Sequence, residues 1–245
     1  MSTQKGMLSV IMPAYKEEQC IYKNLLTTCE CIATFCPNYE IIVINDGSPD
    51  NTFAEAMRAR SVNPRIKVAT YKINRGKGGA IKEGISRASG EFIAFLDADL
   101  DLAPIHLKAF LKEMYEEDAD IVIGSKLHKD SKIEYPFMRR VMSYGYYIFL
   151  KLLFHLDLKD TQTGVKLFRA DIIKPIAESL KTSGYAFDIE ILARATHLGC
   201  RIAELPVHLE YQRGMDQGAS RIRILDVCSM FFDTLKIFWD IKIRS

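Results

Sequence analysis

Length, composition and charge exclude several classes of protein. The chain has 245 residues, 33 of them basic and 31 acidic, for a net charge of +2. This length suits one large α/β domain or two small ones, and the near-balanced charge argues against a general nucleic-acid binder. The cysteines lack the paired spacing of a structural zinc site, and with no secretory leader we expect thiols in a reducing cytoplasm.

No segment reads as a transmembrane helix. The longest apolar candidate, residues 144–156, has about half the required length and is interrupted by Lys151. Any contact with a membrane is therefore expected to be peripheral.

The first half of the chain alternates strand and helix patterns. Strands are predicted at 8–12, 40–45, 66–71 and 92–97, with helices at about 16–35, after Ser48 and from Gly78. This alternation predicts a doubly wound parallel sheet, in which the loops after the strands lie at one edge.

The second half is less regular. The patterns predict a helix near 102–117, a strand at 120–124, an Arg-rich amphipathic stretch at 138–155, a turn within 160–168 that enters a strand, a helix at 187–197 and a strand at 201–208. No linker or internal repeat interrupts the chain, which favours a single domain.

Three acidic residues follow the apolar strand 92–96 at a spacing of two: Asp97, Asp99 and Asp101. Three uncompensated carboxylates this close raise one another's pKa, so we expect them to surround a cation. Their oxygen ligands favour Mg²⁺ or Mn²⁺, ions that keep open positions for substrate phosphates. The alternative is that these residues only cap or solvate the start of the next helix.

Two other loops carry polar groups suited to a nucleotide. Asp46 follows a strand and can accept hydrogen bonds from a nucleobase, although a simple Asx-turn would also explain it. Residues 74–79 combine glycines with Arg75 and Lys77, which could neutralise a diphosphate. A turn with solvated charges is the alternative.

Basic residues also accompany two amphipathic stretches. Arg139, Arg140 and Ser143 lie in an aromatic-rich segment that suits an anionic headgroup on an apolar tail. The alternative is a core helix whose arginines extend to water. Another basic pair, at 221 and 223, precedes the apolar residues 224–241, predicted to be a docking helix, with interfacial membrane binding as the alternative.

Taken in order, these segments resemble family-two glycosyltransferases of GT-A fold, in particular the polyprenyl-phosphate (dolichyl-phosphate) mannosyl and glucosyl transferases. The matching segments are VIMPAYKEE at 10–18, NDGS at 45–48, NRGKGGA at 74–80, DADLD at 97–101, DTQTGVKLF at 160–168 and FDIE at 187–190. The resemblance spans about 8–240. It implies a single α/β GT-A domain over 1–245, with a Rossmann-like nucleotide-sugar half at about 8–124, a mostly parallel central sheet, and an acceptor half at about 125–245.

The resemblance also assigns roles to particular residues. Those matched to donor binding are Pro13, Ala14, Tyr15, Glu17, Ile44, Asp46, Gly76, Lys77 and Ala98. Those matched to the acceptor phosphate are Arg139, Arg140, Ser143, Arg213, Ser220 and Arg221. Asp97 and Asp99 match the metal ligands, and Asp101 adds a third carboxylate where the mannosyl branch often has glutamine. The catalytic set is Asp97, Asp99, Asp101, Arg139 and Asp188.

The activity implied is inverting transfer of a hexose from a nucleotide sugar of GDP-mannose or UDP-glucose type, with Mg²⁺ or Mn²⁺, to a polyprenyl phosphate at the cytoplasmic face of a membrane. FDIE and DTQTG look more like the glucosyl branch, whereas the compact length is common among mannosyl enzymes. A lipid phosphate is already ionised near neutral pH and needs no base, whereas a hydroxyl acceptor would use Asp188 or Glu190.

Three other functions are compatible with the sequence: transfer to a soluble or protein hydroxyl, nucleotidyl transfer, and non-catalytic nucleotide binding. Nucleotidyl transfer is disfavoured because residues 13–18 lack the glycine-rich loop that approaches an attacked phosphate. No pattern in the sequence specifies an oligomeric state.

Overall fold

A computed structural model of the chain describes residues 6–131, 147–154, 156, 158–182, 184, 186–208 and 224–243, with the side chains of the last helix described over 232–241. Within these residues seven strands form one sheet: β1 (Leu8–Ala14), β2 (Tyr39–Asn45), β3 (Ile66–Thr70), β4 (Phe92–Phe95), β5 (Ile121–Ser125), β6 (Lys166–Arg169) and β7 (Ile202–Pro206). Their order across the sheet is β3-β2-β1-β4-β6-β5-β7.

The sheet is parallel except at one strand. β1, β2, β3 and β4 run parallel to one another, and β5 runs parallel to β7, whereas β6 runs antiparallel to both β4 and β5. Every residue of β2 is buried, as expected for a strand covered on both faces. The predicted α/β fold with a mostly parallel sheet is thus confirmed.

The helices lie on both faces of the sheet. They are α1 (Ile21–Ala33), α2 (Thr52–Val62), α3 (Gly76–Arg87), α4 (His106–Glu116), α5 (147–154), α6 (Ala170–Ser179), α7 (Phe187–His197) and α8 (Ile224–Ile243). Val10 packs in one core with α1, α2 and α4, and its neighbour Ile11 packs in the other with α3, α6, α7 and α8. Successive side chains of β1 therefore serve opposite cores, because side chains alternate across a strand.

Two helices differ from the sequence prediction. α1 begins at Ile21 and not near 16, because residues 15–20 form a loop in which Lys16 has a left-handed φ of 58°. α6 was not predicted, since Pro175 lies inside it and proline interrupts the usual helical pattern. Its buried Ile173 and Ile176 nevertheless dock it on the sheet.

Cysteine chemistry and membrane crossing were also addressed by the sequence. Among the described residues, the five cysteines are thiols and not disulfides, as predicted. Cys29 lies on α1, and Cys36 lies beyond the end of that helix, yet both are buried in the core. None of the described helices has the length and apolar composition needed to cross a bilayer.

Candidate active site

The loops at the carboxyl ends of the parallel strands contact one another. The Asp46 amide donates to the Ala14 carbonyl at 2.9 Å, which joins the ends of β2 and β1. On α1, the side-chain amide of Asn24 donates from Nδ2 to the Ala98 carbonyl at 2.8 Å, which fixes the loop after β4. The predicted meeting of these loops at one edge of the sheet is confirmed.

Asp46 links its own loop to the next one. It is 3% exposed, and its Oδ1 accepts a hydrogen bond from the Arg75 amide at 2.7 Å. Gly47 has a φ of 65°, and a Cβ there would lie 2.8 Å from the Asn74 amide nitrogen, so this approach requires glycine. The Asp46 carboxylate thus connects the loop after β2 to the loop after β3, whereas a simple Asx-turn would bond only within its own loop.

The Tyr71 ring lies beside the hydrogen bond between Asp46 and Arg75. The Arg75 guanidinium lies 4.3 Å from the centre of the Tyr71 ring. Burial, together with the nearby Asp46 carboxylate, raises the pKa of Tyr71. These groups form a polar and aromatic wall at the end of β2 and β3, although Tyr71 was not singled out from the sequence.

The loop after β1 presents one residue outward and one inward. Tyr15 is 40% exposed, whereas Glu17 is buried and its amide donates to Thr52 Oγ1 at 2.8 Å. Pro13 and Ile44 face each other across the pairing of β1 with β2. The donor-binding residues predicted in these strands and loops therefore share one region.

The acidic triplet lies beside this region. Its backbone turns sharply at Leu100, which has a left-handed φ of 56°. Asp97 Oδ1 pairs with Lys77 Nζ at 2.5 Å, and the Asp101 amide donates to Asp99 Oδ1 at 3.3 Å. The expectation of three uncompensated carboxylates is therefore wrong for Asp97, because Lys77 from the start of α3 neutralises it.

Asp99 has the perturbed carboxyl of the triplet. Burial, together with the charges of Asp97 and Asp101, raises the pKa of Asp99 to about 6. At neutral pH this carboxylate lacks sufficient positive compensation. Its environment fits a hard divalent cation, which would supply the missing charge.

The described carboxylates of the triplet do not form a closed three-residue metal cluster. Among the described residues, no group of three His, Cys, Asp or Glu side chains has the arrangement needed to hold a metal ion. A metal held by Asp97 and Asp99 would therefore need further ligands from a bound diphosphate or water, and ligation by Asp101 stays a prediction.

A second pair of opposite charges is buried nearby. Lys166 is 1% exposed, and its Nζ donates to Asp188 Oδ1 at 2.7 Å and to the Thr163 carbonyl at 2.5 Å. Burial lowers the pKa of Lys166. Burial also raises the pKa of Asp188, and the two neighbouring lysines only partly offset that rise.

Lys166 was not assigned a role from the sequence. The sequence feature that could have indicated a role is a single lysine within the apolar run VKLF at 165–168, which follows the turn at 160–164. A charged side chain in a buried strand requires a partner.

The turn at 160–164 reaches the acidic triplet. A Cβ placed on Gly164 would lie 2.1 Å from Asp97 Oδ2, so the turn touches that carboxylate directly. Thr163 Oγ1 donates to the Gly124 carbonyl at 2.5 Å, which ties the turn to the end of β5.

The two acids of the FDIE segment have different surroundings. Glu190 accepts hydrogen bonds from the Lys181 amide, from the amide and hydroxyl of Thr182, and from the Arg194 guanidinium. Arg194 also binds Asp240 at 2.9 Å, which attaches α8. Glu190 is thus an anchor for the structure, and Asp188 is the better candidate for chemistry.

The predicted acceptor residues lie outside the described part of the chain. They are Arg139, Arg140, Ser143, Arg213, Ser220 and Arg221. Their proposed roles stay predictions.

Comparison with known proteins identifies the family of this chain. Residues 9–176 match glycosyl transferase family 2, and the chain belongs to this family. It is 33% identical to the dolichyl-phosphate beta-glucosyltransferase of Dictyostelium discoideum over 96% of this chain and 77% of that protein. It is 28% identical to glycosyltransferase AglD of Haloferax volcanii over 97% of this chain, but it spans only 38% of AglD.

A solved structure shows the same fold. Glucosyl-3-phosphoglycerate synthase from Mycobacterium tuberculosis, in complex with Mn²⁺ and UDP-glucose, superposes with a TM-score of 0.70 at 18% identity, covering 97% of this chain and 79% of that one. The protein is a glycosyltransferase, as its motifs predict.

Proposed function

We propose that the protein transfers a hexose, with inversion, from a nucleotide diphosphate sugar to a polyprenyl phosphate of dolichyl or undecaprenyl type. The observation that carries this proposal is the match along 96% of the chain to a dolichyl-phosphate beta-glucosyltransferase. That relative, together with the UDP-glucose bound by the structural neighbour, favours UDP-glucose over GDP-mannose as the donor.

The donor would bind where the strand-end loops meet. Tyr15, Glu17 and Asp46 would hold the nucleoside, with the neighbouring strand and loop residues Pro13, Ala14, Ile44 and Ala98 lining the site. The diphosphate would lie at the first turn of α3, where Gly76 allows close backbone approach and Lys77 supplies a cation. Anions bind at helix N-termini because the amide groups there point outward.

Asp97 and Asp99 would hold Mg²⁺ or Mn²⁺, the latter being the ion bound by the structural neighbour. When bound, the ion would stabilise the negative charge that develops on the departing nucleoside diphosphate. Lys77 already pairs with Asp97 at 2.5 Å, so its ammonium group lies near where that charge develops.

The chemistry needs no proton transfer if the acceptor is a phosphate. An acceptor phosphate oxygen attacks the anomeric carbon, a carbon–oxygen bond forms, and the bond to the diphosphate breaks with its electron pair leaving on the nucleoside diphosphate. The acceptor is ionised near neutral pH, so the enzyme's main task is to hold two anions together. Arg139 and the other predicted acceptor residues would supply the positive charge.

A hydroxyl acceptor is the second candidate, and one observation favours it. Asp188 is buried with a raised pKa, which is the property expected of a general base. In that case Asp188 would remove the proton of the acceptor hydroxyl as it attacks.

A donor panel tests the proposal. UDP- and GDP-sugars labelled in the hexose are incubated with Mg²⁺ or Mn²⁺ and a short polyprenyl phosphate. We expect label from UDP-glucose in the organic phase and release of UDP. Label confined to aqueous glycoside would indicate a hydroxyl acceptor, and release of inorganic diphosphate would indicate nucleotidyl transfer.

The lipid acceptor also implies a membrane surface, and we place the protein peripherally at the cytoplasmic face. Two contacting helices support this. Phe154 of α5 and Phe238 of α8 stack edge to face at 5.8 Å, while Ile237 and Ile241 bury one side of α8 in the core. These two residues dock α8 on the core, as the sequence pattern predicts for this helix. Leu152 and Trp239 are 75% and 63% exposed, a composition typical of an interfacial helix pair.

Replacing Leu152 and Trp239 together by serine should lower co-sedimentation with anionic lipid vesicles by about tenfold, because two apolar side chains would no longer enter the interface. Transfer to a short, water-soluble polyprenyl phosphate should be unchanged. Leu198→Ser is the matched control, since Leu198 is 66% exposed at the end of α7. Equal sedimentation of the double variant and the wild type would contradict this placement of the membrane surface.

A further inference from the structure

Lys166 is among the largest fully buried side chains of the protein. An ammonium group inside a protein is costly unless it is paired and hydrogen-bonded. Here it donates to the Asp188 carboxylate at 2.7 Å and to the Thr163 carbonyl at 2.5 Å. The two acceptors belong to different segments, so the side chain joins parts of the chain that are distant in sequence.

The backbone of Lys166 connects a third segment. In the antiparallel pairing of β4 with β6, Lys166 lies opposite Phe95, two residues before Asp97. Thr163 is followed by Gly164, where an added Cβ would lie 2.1 Å from Asp97 Oδ2. Lys166 therefore contacts three segments next to the candidate donor site. They are the end of β4, the loop at 160–164 and the first turn of α7.

The charges around this residue alternate in sign. Asp97 pairs with Lys77, and Lys166 pairs with Asp188. Asp188 is influenced by Lys77 and Asp97 as well, and Lys166 by Lys77 and Asp160, so the two pairs act on one another across the site. Removing the charge of Lys166 or of Asp188 would leave its partner buried and unpaired.

We propose that Lys166 is a positioning residue for sugar transfer, which holds the Asp188 carboxylate and the Thr163–Gly164 turn in fixed places relative to Asp97. The inference rests on the proposed function, in which Asp97 would hold the metal ion beside the donor diphosphate. Its physical basis is that a displacement of about 1 Å among reacting groups can cost about 10²-fold in rate.

Three variants test this assignment. Lys166→Met removes the charge but keeps the length, Asp188→Asn removes the partner charge, and the double variant leaves neither charge unpaired. We expect each single variant to lose about 10²-fold in kcat, with the KM for the nucleotide sugar within about threefold of wild type. The double variant should lose no more kcat than either single one, because both act through one arrangement.

Stability separates this role from a purely structural one. Lys166→Met should lower the midpoint of thermal unfolding by about 10 °C because Asp188 is left buried and unpaired, and the double variant should recover most of that loss. Arg194→Met is the matched control: it breaks a pair with the buried Glu190 on the same helix and should lower stability without changing kcat.

The assignment is overturned if folded Lys166→Met has a kcat within about threefold of wild type, or if the losses of the two single variants multiply in the double one. If Lys166→Met does not fold, Lys166→Arg keeps the charge in a displaced position, and wild-type kcat in that variant would overturn the assignment equally. All variants are assayed with whichever acceptor the wild type uses. Failure of polyprenyl phosphate as an acceptor therefore bears on the proposed function and not on Lys166.

Discussion

Asp99→Asn is expected to reduce sugar transfer by about 10³-fold or more, because an amide cannot replace a carboxylate beside a divalent cation and a departing diphosphate. The measurement is initial rate with UDP-glucose and polyprenyl phosphate at saturating Mn²⁺. Asp130→Asn, an exchange at an exposed aspartate that pairs with His128, is the control and should leave the rate unchanged. Undiminished transfer by Asp99→Asn would contradict the assignment of Asp99 as a metal ligand.

The same substitution should make the metal-free protein more stable. The pKa of Asp99 is raised to about 6, so at neutral pH its ionised form is disfavoured in the folded state relative to the unfolded state. The amide removes that cost and should raise the midpoint of thermal unfolding by about 5 °C in the presence of EDTA. The gain should disappear below about pH 4, where the carboxyl is protonated in both states. A fall in stability at neutral pH would contradict this electrostatic account.

The second large loss of activity is expected from adding one methyl group at Gly164. Gly164→Ala would place a Cβ 2.1 Å from Asp97 Oδ2, so the carboxylate or the turn must move. Either movement alters the pair between Asp97 and Lys77, and we expect a loss of about 10²-fold in kcat. Circular dichroism and thermal unfolding would establish that the variant is folded.

The control for this variant is also a glycine. At Gly184 an added Cβ has no neighbour within 4 Å among the described residues, so Gly184→Ala should keep the wild-type rate. Wild-type activity in Gly164→Ala would mean that contact between the turn and Asp97 has no part in the reaction.

Much of the donor side could be predicted because it depends on local order. Parallel strands place their carboxyl ends at one edge, so Glu17, Asp46 and the acidic triplet were expected to lie together before any contact was known. The structure shows, in addition, which of these carboxylate charges is paired with a basic side chain. Lys77 was assigned to a diphosphate from its glycine-rich loop, and its pairing with Asp97 depends on how α3 packs against the end of β4.

The second half of the chain was harder to predict because the contacts of its residues join segments that are distant in sequence. Nothing near Lys166 in the sequence indicates that β6 inserts antiparallel between β4 and β5, and without that placement its link to Asp188 cannot be inferred. Glu190 and Asp188 are likewise equivalent in the pattern FDIE. Only the three-dimensional contacts of Glu190 with Lys181, Thr182 and Arg194 distinguish an anchor from a candidate base.

The position of β6 has a consequence for how the enzyme folds. β4 cannot complete its pairing until the chain has passed through α4 and β5 and returned, because β6 lies between β4 and β5. Such long-range pairing closes a large loop and is intrinsically slow. We expect Lys166 and Asp97 to come together late, so hydrogen exchange during refolding should protect β1 and β2 before β6.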